Sequence, residues 1–561
     1  MPRLAGKYVV MEQLRAEGVR YIFGNPGTTE SPFLHALEAY PDLTYILALQ
    51  EAVALGMADG YARASGRPAV VNLHISAGLA NALSLLYNAH RGGTPLIVTA
   101  GQSDTRLLQQ EPVLSADLVA MARQFTKWST EVLHAADLPL VLRRAFKVAQ
   151  EPPTGPVFLS LPWDVLDEET EAEVVPSGGL YPRTRPDPAG VVRAATLLVG
   201  AETPVLFVGD RVAQAGAQSE AVRLAELLGA RVYAAGYAEV NFPTTHPLFL
   251  GTFSPFAPSS RHLLEQADVL LIVGANAFNQ FLYHPEPILR PGTCVIHLDA
   301  AAWEIAKNIP VTVGLPGDPK AGLADLIAAV MARSDPAFAE RAARRRAAIA
   351  AERERARQAF QQQARAVWTK RPIAVPRLML ELRAQLPPDA IVVDESISAR
   401  PILQQALDFS QPGSYFSGRG GAIGWGLPAA LGVKLACPDR PVVALVGDGS
   451  AMYTIQALWT SLHHRLPVTW IILNNGAYRV LKINMAHYLG EAAATSRFIG
   501  MDLCDPPLDF ARLAAGFGVP ARRVEDPDDL GAALREALTA PGPFLLDVVL
   551  DGSIPGLPDR R

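Results

Sequence analysis

Short runs of apolar residues recur along the chain, bounded by glycine, proline or polar residues and separated by longer stretches with helical spacing of apolar positions. In the first 180 residues the runs YIFG, YILAL, AVVNLH and PLIVTAG alternate with the helix-like KYVVMEQLRAEG, EAVALGMADGYARAS and NALSLLYNAHRG. Uniformly apolar runs suit strands buried on both faces, and their alternation with helices predicts a parallel α/β sheet. A Pro/Gly-rich break, PSGGLYPRTRPDPAG, interrupts the pattern over residues 176–190. The alternation resumes with PVLFVG, RVYAAG, DVLLIVG and CVIHLD, and again with AIVVDE, VVALVG, VTWIIL and FLLDVVL. Between these last two groups, AFAERAARRRAAIAAERERARQAFQQQARAVW is rich in good helix formers, with acids interleaved among the bases, which predicts a solvated linker helix. The expected fold is α/β: three parallel-sheet domains at 1–180, 187–335 and 372–555, with the linker helix at 336–371.

Length agrees with this division, because 561 residues exceed what one hydrophobic core accommodates. A net charge of -5 provides no basic field, which argues against a nucleic-acid partner. Cys294, Cys437 and Cys504 are scattered without metal-ligand or redox spacing, as expected of reduced, buried thiols in a cytoplasmic protein. The N-terminus lacks the apolar centre of a signal peptide, and no apolar run approaches the roughly 18 residues of a membrane span.

The candidate chemistry lies at strand ends. VVALV runs into Gly447-Asp448-Gly449-Ser450, and VTWIIL runs into Asn474-Asn475-Gly476. In parallel sheets ligands bind beyond the carboxyl ends of strands, and neighbouring strands joined by a helix bring such ends together. A carboxylate, an amide oxygen and a loop carbonyl are hard donors suited to Mg²⁺. Gly449 and Ser450 open the following helix, where free N–H groups favour phosphate. Taken alone, Asp-Gly and Asn-Gly are common turn pairs; the two together, one strand–helix–strand unit apart, point to a Mg²⁺–diphosphate clamp.

GDGS followed by NNGAY resembles the cofactor signature of the thiamine-diphosphate enzymes. The likeness spans nearly the whole chain, in the order of pyrimidine-binding, middle and diphosphate-binding domains. FGNPGTTESPFL, YILALQEA, GMADGYARAS and VNLHISAG are similar to benzoylformate decarboxylases and their relatives. The resemblance implies Asp448, Asn475 and the Ala477 carbonyl as metal ligands, and Ile397 and Ser398 as diphosphate contacts. It gives Gly421 the carbonyl that receives the cofactor's 4′-amino group, and makes Ile423 the aliphatic side chain that bends the cofactor. Tyr478 joins the cofactor contacts.

Glu51, just after YILAL, matches the acid that bonds the pyrimidine N1′ and shares its proton. His74 matches a catalytic histidine, and Thr28 stands for a serine that bonds the substrate carboxylate. Phe281 falls where benzoylformate decarboxylases carry a second histidine, while Val480 and Asn484 alter the substrate pocket. His463-His464, between the two cofactor motifs, is expected to be an exposed helix end. The implied activity is decarboxylation of a small 2-oxo acid through an enamine, in a homodimer or homotetramer with shared sites. Loss of the second histidine keeps acetolactate synthase-like carboligation, with an aldehyde or ketone acceptor, as the alternative. A non-catalytic cofactor-binding homologue is the third reading.

Overall fold

The computed structural model describes residues 3–253, 264–279, 283, 287–554 and 556–557. Its three large sheets have six strands each, and the chain forms two compact units. Residues 1–180, 369–400 and 417–561 make the first unit, and residues 181–368 and 401–416 the second.

The N-terminal sheet contains β1 (Tyr21–Gly24), β2 (Thr44–Leu47), β3 (Ala69–Leu73), β4 (Leu96–Gln102), β5 (Trp128–Glu131) and β6 (Val157–Pro162), in the order β2-β1-β3-β4-β6-β5. Every pairing is parallel. Strands β3, β4 and β6 are buried along their whole length, which is why their sequences are predominantly apolar, with Asn72, Thr99, Gln102 and Ser160 as buried polar exceptions. Helix α1 (Glu51–Ser65) begins beyond β2, and helix α2 (Ile75–Gly92) beyond β3.

In the second unit, β7 (Pro204–Val208), β8 (Arg231–Ala234), β9 (Phe249–Thr252), β10 (Val269–Val273), β11 (Cys294–Asp299) and β12 (Val313–Pro316) are ordered β9-β8-β7-β10-β11-β12 and again parallel. Helix α3 (Pro336–Ala366) is continuous over 31 residues and mostly exposed, with a sparse buried stripe along one side. Phe338, Ala342, Ile349, Phe360 and Ala364 are buried, and Arg345 donates to the Leu228 carbonyl at 3.2 Å. The guanidinium heads of Arg345 and Arg353 thus satisfy the backbone carbonyls of Ala201, Leu228, Thr244 and Phe249 within this unit.

The C-terminal sheet comprises β13 (Ile391–Glu395), β14 (Tyr415–Ser417), β15 (Val442–Gly447), β16 (Thr469–Asn474), β17 (Ala521–Val524) and β18 (Phe544–Val549). The five of these that lie in the first unit run β13-β15-β16-β18-β17, all parallel. Helix α4 (Gly426–Ala436) packs along α1 within that unit, and helix α5 (Arg479–Leu489) follows β16. The α1–α4 approach depends on absent side chains. A Cβ at Gly432 would lie 1.9 Å from the Met57 carbonyl oxygen, and one at Gly60 would lie 2.3 Å from that of Ala429. The buried Trp425 indole donates to Asp59 across the same contact.

In both sheets of the first unit the strand order reverses direction, between β1 and β3 and between β13 and β15. Crevices open beyond the carboxyl ends of strands at such reversals. The candidate residues stand there.

Candidate active site

At the C-terminal reversal a cavity of about 570 Å³ is lined from four directions. Ile397 and Ser398 follow the end of β13, Asp448, Gly449 and Ser450 follow β15, and Asn475, Ala477 and Tyr478 follow β16, with Val480 in the first turn of α5. Gly421 and Ile423 come from the loop that enters α4. All the cofactor and metal contacts expected of the C-terminal domain therefore face one space.

Asp448 is buried and stitches two turns together. Its Oδ1 accepts the Gly449 N–H at 2.8 Å and its Oδ2 accepts the Gly476 N–H at 2.7 Å. Gly476 has φ +66, a conformation that glycine adopts at little cost. The Tyr478 ring lies against Gly449, where a Cβ would come within 2.4 Å of Cε1. Asn475 Oδ1 accepts the Ala477 N–H at 3.1 Å, which fixes the orientation of the amide. Burial pushes the Asp448 carboxyl up to about 6, against the backbone N–H bonds that pull it down. A divalent cation beside it would favour its charged form. The donor set of carboxylate, amide oxygen and backbone carbonyl fits a hard cation such as Mg²⁺. Among the described residues no group of three or more His, Cys, Asp or Glu side chains offers a competing site.

The N-terminal reversal holds the acid and the imidazole. Glu51 is the first residue of α1, whose N-terminus is capped by Gln50: its side-chain oxygen accepts the Ala52 N–H at 2.6 Å. The Glu51 carboxylate is buried and accepts from Asn25 at 3.3 Å and from Asn81 at 2.9 Å. Gly78 makes room beside it: a Cβ there would lie 3.1 Å from Glu51 Oε1 and 3.3 Å from the His74 Cβ. Glu51 and His74 therefore flank the same glycine.

His74 precedes α2, and its ring lies flat against Gly27, where a Cβ would be 1.9 Å from Nδ1. Ile75, immediately after it, is fully buried with φ +35, a strained conformation for a β-branched residue. Thr28 opens a short 3-10 turn and is exposed at the rim, while its neighbour Thr29 lies 3.3 Å from His74 Nδ1. None of the residues around Glu51 and His74 lines the C-terminal cavity, whose described wall runs from Val375 to Asp551.

Sequence reasoning passed over Asn25, Asn81 and Glu30. The first two follow the strand end in FGN and the helix start in HISAGLAN, so the strand-end rule that exposed His74 also covers Asn25. Asn484 lies half-buried one turn beyond Val480 on α5. Phe281 falls outside the described residues, and so does the neighbouring His284. Two expectations need correction. His463 is exposed, but His464 is half-buried and its Nε2 accepts the Leu47 N–H at 3.0 Å, because the helix end docks on the strand that leads to Glu51. Burial, with His463 beside it, lowers the His464 pKa. Cys504 is exposed and Cys294 and Cys437 are half-buried, so none of the three is buried as expected.

The chain matches three family models: "Thiamine pyrophosphate enzyme, N-terminal TPP binding domain" over residues 5–121, the central domain over 191–326, and the C-terminal TPP binding domain over 398–548. It is 35% identical to the benzoylformate decarboxylase of Pseudomonas aeruginosa over 542 residues, covering 96% of this chain and 97% of that one. It is 29% identical to the acetolactate synthase isozyme 3 large subunit of Escherichia coli, covering 99% of this chain and 96% of that one. Among solved structures, the thiamine diphosphate-dependent 4-hydroxybenzoylformate decarboxylase of Rhodococcus jostii RHA1 superposes with a TM-score of 0.84 at 32% identity, covering 98% of this chain and 99% of that one.

Proposed function

The chain belongs to the thiamine pyrophosphate enzyme family, and from that premise we propose that it is a Mg²⁺-dependent lyase that decarboxylates a 2-oxo acid, as benzoylformate decarboxylases do. The observation that carries this reading is the placement of Glu51 and His74 on either side of Gly78, at the end of the sheet. An acid for the cofactor and an imidazole for the substrate then share one crevice.

Asp448, Asn475 and the Ala477 carbonyl would hold the cation, and Ile397, Ser398, Gly449 and Ser450 the diphosphate. The Gly421 carbonyl would take the 4′-amino group, with Ile423 beneath the cofactor and Tyr478 beside it. The bound cofactor supplies the electron sink that lets the carboxylate depart as CO₂. Glu51 holds and returns a proton at the pyrimidine N1′. Thr28 binds the substrate carboxylate through its hydroxyl. His74 gives and takes a proton at Nε2, because Nδ1 is engaged by Glu30.

The working unit would be at least a dimer, in which Glu51 of one subunit serves the cavity of its partner. In support, no described residue of the N-terminal domain lines that cavity in a single chain. Leu49, two residues before Glu51, and Tyr453, on the cavity wall, are also exposed apolar groups that a partner would cover.

Carboligation is the second reading, favoured by Phe281, which offers no proton where the resemblance places a histidine, and by the acetolactate synthase relatives. Mass spectrometry of products from a panel of 2-oxo acids, with and without an acceptor aldehyde, decides between them. Aldehydes as the main products under both conditions support the lyase. Predominant 2-hydroxy ketones support the carboligase, and no turnover of any 2-oxo acid contradicts both.

A further inference from the structure

Ile423 sits in a segment that ought to be loose. Gly420, Gly421 and Gly424 surround it with φ +91, +106 and +98, and glycine pays the largest entropy to be held in one conformation. A side chain that supports a bound cofactor needs a fixed backbone, so the stiffness must come from elsewhere.

Three buried side chains supply it. Asn88, on α2, pairs with both polar groups of Ala422: its Nδ2 donates to the carbonyl at 2.7 Å and its Oδ1 accepts the N–H at 3.0 Å. Glu395, the last residue of β13, takes three successive N–H groups on the far side of Ile423. Oε1 accepts those of Gly424 and Trp425, each at 3.0 Å, and Oε2 accepts that of Gly426 at 2.8 Å. Thr454 donates from Oγ1 to the Gly424 carbonyl at 2.7 Å. Both neighbours of Ile423 are thus fastened through their N–H and their C=O. Two glycines permit this closeness. A Cβ at Gly420 would lie 2.5 Å from Asn88 Oδ1, and one at Gly426 would lie 2.8 Å from the Glu395 Cβ.

We infer that Asn88, Glu395 and Thr454 are positioning residues whose hydrogen bonds lock the Gly420–Gly426 loop, so that Ile423 meets the cofactor as a preformed, rigid support. The inference rests on the reading that Ile423 contacts the bound cofactor. None of the three touches the reacting atoms. Each acts through the backbone on either side of Ile423, from three separate segments of the first unit.

The test combines amide hydrogen exchange of the cofactor-free protein with titration by thiamine diphosphate and Mg²⁺. Thr454→Val keeps the shape and removes the donor, Thr454→Ser restores it, and Glu395→Gln turns an amide N–H₂ toward the Gly426 N–H or its neighbours. In Thr454→Val and Glu395→Gln, exchange at Gly424, Trp425 and Gly426 should rise at least about tenfold while the amides of β16 stay at the wild-type rate. Cofactor affinity should fall by about three- to tenfold, the worth of one hydrogen bond. Thr454→Ser should keep the wild-type exchange. Ile423→Ala should weaken the cofactor without changing loop exchange. Unchanged exchange in both variants, or faster exchange with unchanged affinity, overturns the inference. Undiminished affinity in Ile423→Ala instead overturns the reading on which it rests.

Discussion

His74 Nδ1 lies 2.9 Å from Glu30 Oε2, and the Glu30 side chain is almost wholly buried. Glu30 also accepts the N–H groups of Gly27 at 3.1 Å and of Gly101 at 2.9 Å, so its carboxylate is fixed before the imidazole reaches it. A carboxylate accepts only, which places the ring proton on Nδ1 and leaves Nε2 for the proposed proton exchange with substrate. The pair does for the imidazole what Asn25 and Asn81 do for Glu51: it sets orientation.

Glu30→Gln should therefore lower kcat by about 10²-fold, the scale of a misdirected acid/base group. The amide presents a donor where Nδ1–H needs an acceptor and so favours the wrong tautomer. Cofactor affinity should not change, since Glu30 does not line the C-terminal cavity. Steady-state kinetics beside a cofactor titration check this, and a loss confined to KM would count against it.

Asp448→Asn should weaken thiamine diphosphate binding in Mg²⁺ by at least about 10²-fold, equivalent to about 3 kcal/mol for a charged ligand lost. Excess chelator should reduce wild-type affinity to a similar degree. Fluorescence titration of both proteins, with and without chelator, is the measurement. Equal affinities throughout would remove the cation from the site.

Mixed oligomers test the shared site. Glu51→Gln and Asp448→Asn disable opposite halves, so each homo-oligomer should be inactive. Random pairing in a symmetric dimer makes half the molecules mixed, each with one intact site, and restores about a quarter of the wild-type activity. Inactive mixtures, with hybrids verified by mass spectrometry, would place Glu51 and Asp448 at one site within a chain.

Burial raises the Glu395 carboxyl from 4.5 to about 7, although three N–H bonds and Arg400 pull the other way. Folding thus favours the protonated form. Its stabilising contribution is full below about 4.5, declines as pH rises toward 7 and is lost above that, with a ceiling on the order of 3 kcal/mol. The stability difference between wild type and Glu395→Gln should shrink over this interval in denaturant titrations of the cofactor-free protein. A difference independent of pH would contradict the shifted titration.

Strands such as β15 and β16 were legible because burial on both faces leaves them almost wholly apolar. The convergence of Asp448 and Asn475 on one cavity was legible because each follows a strand end and the two strands are one strand–helix–strand unit apart. The buried stripe of α3 was hidden because arginines that read in sequence as solvent-facing charge bond backbone carbonyls beside it. Glu30, Asn88 and Glu395 were hidden for another reason. Glu30 meets His74 across 44 residues, and Asn88 meets Ala422 across 334, and no local period records such a pairing. The sequence of a loop with three glycines shows freedom; only the fold shows what removes it.

If Glu51 makes a bound thiamine diphosphate reactive, its loss appears first at the cofactor C2. Hydrogen–deuterium exchange at the cofactor C2, followed by quenched-flow NMR in wild type and Glu51→Gln, tests it without knowledge of the substrate. The amide can still bond the pyrimidine but cannot take its proton, so binding should survive while exchange falls by at least about 10²-fold. Exchange at the wild-type rate in Glu51→Gln, with the cofactor bound, would contradict the account.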